Sequence, residues 1–237
     1  MLKKLVKKIV LREKSDSESY IRYLRNKGMQ IGEDVTFFSP KNTLIDTTAP
    51  WLVTIGNHVR ITHGVIILTH DYSWSVLKNY SASKGSILGA QSKVVIGDNV
   101  FIGMNSIITK GVTINNNVII GAGSVVTKDC EPDSVYAGNP ARKIMTLDEF
   151  FAKRKEKQVE EAKELAVEYY KKFKQYPPKE IFKEYFMLFE TAEDATKIQV
   201  FLSQMETGSG YEDTVEYMNS NHKEFENFEE FLADCFK

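Results

Sequence analysis

The stretch IGDNVFIGMNSIITKGVTINNNVIIGAGSVVTKD, residues 96–129, decides the fold. An aliphatic β-branched residue returns every six positions, and a glycine follows several of these residues. Six residues make one short strand and one turn, so the pattern predicts a solenoid whose aliphatic side chains point inward. The positions are Ile96, Ile102, Ile108, Ile114, Ile120 and Val126.

A looser form of the repeat begins earlier in the 237-residue chain, at Ile31, Phe37, Thr43, Ala49, Ile55, Ile61 and Ile67. A second interior position lies four residues further on, and it places Cys130 in the core as a small filler. Three units close one triangular coil of parallel strands, so we expect equivalent residues to stack at intervals of about eighteen. Glycine, asparagine and aspartate supply turns with positive φ.

Composition narrows the class of protein. The formal net charge of −1 argues against nucleic acid as a partner. Cys130 and Cys235 lie far apart and neither belongs to a CxxC pair, which gives no support to a zinc or redox motif. No apolar run reaches the ~18 residues of a membrane span. These features predict a cytoplasmic protein.

Both flanks of the repeat read as helical. Residues 1–14, MLKKLVKKIVLREK, place apolar side chains on one helical face and lysines opposite. We expect this helix to pack on the solenoid or on a neighbouring subunit; weak contact with the inner face of a membrane is the alternative. Residues 15–26 predict a second short helix. The C-terminal helical predictions are 147–174, broken at Pro177–Pro178, then 180–190, 192–205 and 215–236.

Three parts follow from these patterns. Residues 1–30 form an N-terminal helical segment, residues 31–145 the solenoid, and residues 146–237 an α-helical extension. The repeat stops after ILTHDYSW (residues 67–74), and residues 71–92 predict a loop extruded from the coils. We expect the extension to be a packed cap, because its aromatic spacing is typical of a core.

The repeat resembles the hexapeptide-repeat acyltransferase family, and the resemblance implies a left-handed parallel β-helix. Leu68-Thr69-His70-Asp71, just before the extruded loop, is similar to the maltose and galactoside acetyltransferase branch and especially to its capsular-polysaccharide O-acetyltransferase relatives. Those enzymes transfer an acetyl group from acetyl-CoA to a sugar hydroxyl. The resemblance therefore implies a homotrimer with active sites between subunits, and His70 as the general base.

The chemistry explains why a histidine is needed. A sugar hydroxyl is a poor nucleophile at neutral pH, and a neutral imidazole within hydrogen-bond reach takes its proton as it attacks the thioester. Adjacent strand residues point to opposite faces, so Asp71 is not expected to orient His70.

The same resemblance places the acyl donor along the second block. Ala122, Thr127 and Lys128 match positions that contact the pantetheine arm and the nucleotide, and Arg142 matches a basic residue near the 3′-phosphate. The remaining predicted donor contacts are Phe101, Gly103, Met104 and Lys143. A further basic position of the sugar acetyltransferases falls on Met145 here, which departs from the family pattern.

The predicted acceptor contacts are Asp46, Asp71, Tyr72 and Trp74. Asp46 resembles an acceptor-binding carboxylate, and the eighteen-residue spacing places it one coil before residues 61–67. Aromatic rings of the loop stack on sugar faces, or they anchor the loop against a neighbouring subunit.

His58 and His63 have the HxxxxH spacing of the γ-class carbonic anhydrases, which bind zinc through three histidines. No histidine precedes His58, and zinc needs three converging protein ligands, so we predict no metal site and solvated turn positions for both.

The predicted function is thus acetyl-CoA-dependent O-acetylation of a sugar in surface-polysaccharide synthesis. N-acetylation of an amino-sugar nucleotide or another small amine stays open, because loop geometry decides the acceptor. A non-catalytic trimeric scaffold or binding protein is the alternative of a different class.

Overall fold

The computed structural model describes residues 11–237, and the amphipathic helix predicted for residues 1–14 lies almost entirely outside them. The chain divides into two compact units, Met1–Phe150 and Phe151–Lys237. Within the described residues no helix is both long and apolar enough to cross a bilayer.

The first unit is a parallel β-helix of three sheets, which confirms the predicted fold class. Sheet 1 has the strand order β1-β4-β9-β12, sheet 2 the order β16-β15-β13-β10-β5-β2, and sheet 3 the order β14-β11-β6-β3. The strands are β1 Gln30–Ile31, β2 Thr36–Phe37, β3 Leu44–Ile45, β4 Val53–Ile55, β5 Arg60–Ile61, β6 Ile66–Ile67, β7 His70–Asp71, β8 Ala90–Gln91, β9 Val94–Ile96, β10 Val100–Ile102, β11 Ile107–Ile108, β12 Thr113–Ile114, β13 Val118–Ile120, β14 Val125–Val126, β15 Ser134–Gly138 and β16 Ala141–Thr146.

Inward-pointing aliphatic residues form three continuous ladders, one for each sheet. Ile61, Ile102 and Ile120 are in register on sheet 2 and are fully buried. Burial of such a side chain contributes about 1.5–3 kcal/mol relative to exposure. Cys130 is also fully buried, as predicted, and burial raises its pKa to about 12, so this thiol is a core residue.

The turns at one corner explain the asparagines of the repeat. Asn99 and Asn117 have φ of 54° and 58°, a region that asparagine tolerates better than most residues. Asn99 Nδ2 donates to Asn117 Oδ1 at 2.9 Å, and Asn117 Nδ2 donates to Asp133 Oδ1 at 2.7 Å. These side chains therefore tie successive coils together from outside the core.

The prediction of a constant eighteen-residue coil is correct for the second block and wrong for the first. Ile96 pairs with Ile114, but Ile31 pairs with Ile55. The longer first coil contains two 3-10 helices, Pro40–Asn42 and Pro50–Leu52, on either side of β3. Proline begins each of them, since its fixed φ suits a helical first position.

The extruded loop leaves the coils at His70 and returns at Gln91. At its base β7 and β8 pair antiparallel, with His70 opposite Gln91 and Asp71 opposite Ala90. The loop itself carries a short helix, α2 (Trp74–Leu77), and a 3-10 turn at Ser81–Ser83. The helix α1 (Ser17–Asn26) packs on the first coil through Tyr20, whose ring meets Phe37 edge-on at 5.1 Å.

The second unit is helical, with an aromatic core centred on Phe182, Phe189 and Phe231. Its α-helices are α3 Leu147–Phe173, which begins at the end of the first unit, α4 Ala192–Thr196, α5 Gln199–Met205, α6 Tyr211–Ser220 and α7 Phe228–Cys235. Three helical predictions were wrong, and one of them, residues 192–205, is divided between α4 and α5. Residues 180–190 form two 3-10 helices, Lys179–Phe182 and Phe186–Leu188, and the stretch 215–236 is interrupted between α6 and α7.

Candidate active site

The turns that follow the strands of sheet 3 stack into one column, which we call the His70 corner. It comprises residues 46–48, 68–70, 109–111 and 127–129. Backbone hydrogen bonds fix the stacking: Asp46 N donates to Ile67 O, Leu68 N to Ile108 O, and Thr109 N to Val126 O. His70 therefore lies one coil above Asp46 and one coil below the turn at 109–111.

The Asp46 carboxylate holds His70 in place. Asp46 Oδ2 lies 2.5 Å from His70 Nδ1 and also accepts a hydrogen bond from Thr69 Oγ1 at 2.5 Å. Its other oxygen, Oδ1, accepts from the Thr48 backbone N–H and the Thr48 hydroxyl. Burial opposes ionisation of Asp46, but these hydrogen bonds outweigh it and hold the pKa of the carboxyl well below its usual range.

The hydrogen bonds also assign the proton on the imidazole. An ionised Asp46 can only accept, so His70 Nδ1 carries the hydrogen and donates it. Among residues 11–237 no side chain or backbone group is hydrogen-bonded to Nε2 of His70, and 40% of this side chain is exposed. Nε2 is thus an open proton acceptor at the surface of the corner, next to the base of the extruded loop.

Asp46 was predicted to bind the acceptor, and the structure gives it different contacts. Both of its oxygens are occupied by Thr48, Thr69 and His70, and only 7% of the residue is exposed. The prediction placed it one coil back by an eighteen-residue spacing, whereas the pair Asp46–His70 is 24 residues apart. The longer first coil brings the carboxylate against the histidine.

Asp71 points away from His70, in agreement with strand alternation. Its Oδ2 forms an ion pair with Lys110 Nζ at 2.6 Å, and its Oδ1 accepts from the backbone N–H and hydroxyl of Ser73. The hydrogen bond from Lys110, followed by those from Ser73, holds the pKa of Asp71 well below its usual range.

The predicted loop aromatics form a pair beyond Asp71. The rings of Tyr72 and Trp74 are tilted against each other with centroids 4.6 Å apart, and 66% of Tyr72 is exposed.

The predicted donor contacts are divided between two corners. Thr127 and Lys128 lie on the His70 corner, two strand spacings of about 4.8 Å from His70. Gly103, Met104 and Ala122 lie on the turns between sheets 2 and 3, which we call the Met104 corner; Gly123 N there donates to Met104 O at 2.7 Å.

The Met104 corner is open and closely stacked. Met104 is 50% exposed, and Phe101, on the outer face of β10, is 40% exposed. A Cβ atom on Gly103 would lie 2.5 Å from Ala122 N and 2.7 Å from Ile120 O, so glycine is required for the coils to approach.

The two basic residues near the end of the repeat differ in their contacts. Arg142 is exposed on β16 and bonds to its neighbouring carbonyl, Ala141 O. Lys143 Nζ forms a 2.7 Å ion pair with Glu131, which raises the pKa of this lysine. Arg142 is therefore the better placed of the two to meet a phosphate.

His58 and His63 have separate hydrogen-bond partners. His58 Nδ1 lies 2.8 Å from Asp34 Oδ2, which also pairs with Arg60, and His63 Nδ1 lies 3.3 Å from Asn42 Nδ2. No group of three or more metal-ligating side chains occurs within residues 11–237. The absence of a metal therefore stays a prediction for zinc analysis to check.

Sequence reasoning missed three residues of the site. Thr48 and Thr69 orient Asp46, and only the unusual length of the first coil brings them there. Lys110 had a visible signal, because Thr109-Lys110 repeats as Thr127-Lys128 on the next coil of the same corner.

The hexapeptide repeat itself defines a class of bacterial transferase. Residues 93–128 match the family described as bacterial transferase hexapeptide (six repeats). Protein CapG of Staphylococcus aureus is 42% identical over 153 residues, which cover 64% of this chain and 83% of CapG. The chain belongs to the hexapeptide-repeat acyltransferase family.

The chain is also similar to two solved structures. A maltose O-acetyltransferase from Clostridium difficile 630 is 31% identical, with a TM-score of 0.44 over 54% of this chain and 75% of that one. A hexapeptide-repeat acetyltransferase from Vibrio cholerae, complexed with acetyl coenzyme A, is 27% identical, with a TM-score of 0.45 over 61% of this chain and 82% of that one.

Proposed function

We propose that this protein transfers the acetyl group of acetyl-CoA to a hydroxyl of a sugar in surface-polysaccharide synthesis, with His70 as general base. The observation that carries the proposal is the 2.5 Å contact between Asp46 and His70 Nδ1, which leaves Nε2 as the free acceptor. An idle turn histidine needs no buried carboxylate held by two threonines, whereas a base needs a fixed tautomer and a fixed ring.

The first step is attack on the thioester. The sugar hydroxyl donates its proton to His70 Nε2 while its oxygen bonds to the carbonyl carbon of the acetyl group. The carbonyl π electrons move onto oxygen to give a tetrahedral oxyanion, which re-forms the carbonyl when the thiolate leaves. The imidazole becomes an imidazolium, and the ionised Asp46 at 2.5 Å stabilises that positive charge. The bound hydroxyl is itself the nucleophile, so no serine or cysteine of the chain is acylated.

The second step releases the products. The carbon–sulfur bond breaks, the CoA sulfur leaves as a thiolate, and His70 returns the proton to it, which regenerates the neutral base. Every proton taken from the sugar thus ends on the thiol. Holding both substrates in one complex also lowers the barrier, because it removes the entropy cost of their encounter.

The donor fits the open surfaces of the solenoid. Phe101, Met104 and Ala122 offer an exposed apolar strip to a pantetheine arm, and Lys128 and Arg142 offer positive charge to phosphates. These residues lie on more than one corner, so a single subunit does not bring all of them to His70.

In the homotrimer that we propose, donor-binding residues of one subunit lie beside His70 of the next. The outer face of sheet 3 carries aliphatic side chains where a solvent-facing strand normally has polar ones. Half of Leu44 is exposed there, and the aligned outward residues are Leu44, Ile66, Ile107 and Val125. We place this face between subunits, so that the His70 corner of one subunit meets the Met104 corner of the next.

The experiment compares the wild type with His70→Ala and with the control His222→Ala, since His222 is an exposed histidine of the second unit. Thiol release from acetyl-CoA is followed with a panel of sugars and amino sugars, and acetyl-CoA affinity is measured by calorimetry. We expect His70→Ala to lose about 10²–10⁴-fold in turnover and to keep its acetyl-CoA affinity, while His222→Ala is unchanged.

Equal turnover by His70→Ala and the wild type would refute the general base. An acetylated amine as the sole product would replace O-acetylation by N-acetylation. Failure of the wild-type protein to bind acetyl-CoA would favour the non-catalytic scaffold.

A further inference from the structure

We infer that Lys110 is a positioning residue that holds the extruded loop against the solenoid through Asp71 and so sets the acceptor-facing aromatics relative to His70. The inference rests on the proposed function, because it concerns the affinity of the same site for its acceptor. It assigns Asp71, predicted to contact the acceptor itself, to loop anchoring.

Apart from the Lys110–Asp71 ion pair, the extruded loop has little attachment to the coils. Within residues 11–237, the ion pair from Lys110 to Asp71 is the one side-chain hydrogen bond or ion pair that joins residues 71–91 to the coils. The remaining attachment is backbone pairing at the base, between β7 and β8 and from Ser92 N to Thr69 O. Hydrogen bonds beyond the base are internal to the loop, such as Ser83 Oγ to Leu77 O at 2.7 Å.

The Lys110–Asp71 ion pair joins the His70 corner to the first residue of the extruded loop. Lys110 is on the His70 corner, one coil beyond His70, and its turn is fixed by the hydrogen bond from Gly111 N to Lys93 O. Asp71 directly follows His70 and accepts hydrogen bonds from the backbone N–H and the hydroxyl of Ser73, the residue just before α2. The chain between Asp71 and α2 carries Tyr72, and Trp74 is the first residue of that helix.

The contact between Lys110 and Asp71 is an ion pair of two partly exposed side chains. Asp71 is ionised near neutral pH, as an ordinary aspartate is, and the hydrogen bonds from Lys110 and Ser73 lower its pKa further. Both side chains are roughly one-third exposed, at 32% for Lys110 and 40% for Asp71. A pair of this kind is modest in strength and is weakened by salt, which suits a device that sets loop geometry without contributing much to global stability.

The experiment uses Lys110→Met, Lys110→Arg, and the control Lys93→Met. Lys93 is an exposed lysine on the neighbouring coil and forms no ion pair with any residue of 11–237, so its removal matches the loss of charge. Trypsin cleavage after Lys78 and Lys84, both exposed in the loop, is followed by mass spectrometry. We expect Lys110→Met to be cleaved about two- to five-fold faster than the wild type at low salt, with the difference shrinking at 1 M NaCl.

The second readout is kinetic, with maltose as the first probe acceptor and a panel of other pyranosides beside it. We expect Lys110→Met to raise the acceptor KM about two- to five-fold, while kcat and the KM for acetyl-CoA stay within two-fold. We expect Lys110→Arg to keep the acceptor KM of the wild type, because arginine retains the positive charge. Lys93→Met should behave as the wild type in both assays.

The proteolysis assay tests whether Lys110 anchors the loop, and the kinetic assay tests whether that anchor affects acceptor binding. Equal cleavage of Lys110→Met and Lys93→Met would overturn the anchor, and faster cleavage with an unchanged acceptor KM would overturn its link to acceptor binding. A wild-type protein that acetylates no sugar would refute the proposed function, whereas the proteolysis result would still decide whether Lys110 anchors the loop.

Discussion

At the scale of single residues, the site depends on how one carboxylate is held. Asp46 is buried, yet its oxygens receive hydrogen bonds from Thr48, Thr69 and His70. His70 could be singled out from sequence because it stands just where the repeat breaks and matches a histidine of the similar acetyltransferases. The orienting role of Asp46 could not, because it depends on a coil length that the repeat does not reveal.

Replacing Asp46 by Asn tests this arrangement. An amide cannot stabilise the imidazolium as a carboxylate does, so we expect turnover to fall by about 10²-fold with acetyl-CoA affinity unchanged. Initial rates and calorimetry measure the two quantities. An unreduced rate would mean that Asp46 serves only the fold.

The same variant has a predicted pH dependence in stability. The folded pKa of Asp46 lies below its unfolded value of about 3.9, so its contribution is fully present above that value and is lost as pH falls through the folded pKa. Asp46→Asn should therefore be less stable than the wild type at pH 7, with a gap that narrows below about pH 4. Urea unfolding across this range measures the gap, and a constant difference would contradict the linkage.

At the scale of elements, each coil depends on turns that let adjacent backbones touch. Gly103 shows the constraint most directly, since a Cβ there would meet backbone atoms of Ile120 and Ala122 that cannot rotate away. The repeat predicted glycine in the turns, but the structure shows that this one is needed for close approach, because its φ is not in the left-handed region.

Replacing Gly103 by Ala should therefore destabilise the solenoid by about 1–3 kcal/mol, since neighbouring coils must separate. Gly89→Ala is the matched control, because nothing lies within 4 Å of a Cβ at that position. Urea unfolding at neutral pH compares the two variants. Equal stability of both would show that the coils yield at no cost.

At the scale of the whole molecule, the aliphatic outer face of sheet 3 is the surface through which we expect the subunits of the proposed trimer to meet. Ile107→Glu places a charge in the middle of that face, so we expect it to dissociate the proposed trimer and to lower turnover, while the solenoid stays folded. Thr54→Glu, on the outer side of β4 in sheet 1, is the control.

Sedimentation equilibrium gives the mass and circular dichroism checks the fold. A wild-type monomer, or an Ile107→Glu protein that keeps the trimeric mass, would contradict this assignment of the face.

The sequence by itself determined the β-helix, the extruded loop and the candidate base. Each of these is written in a local pattern: a six-residue period, a break in it, and a histidine at the break. Only the tertiary structure decided the neighbours of that histidine. Between Asp46 and His70 the first coil is lengthened by one proline-started 3-10 helix, Pro50–Leu52, and this places Asp46 under His70. Contacts across coils depend on the length of the intervening chain, and a period read along one strand does not carry that information.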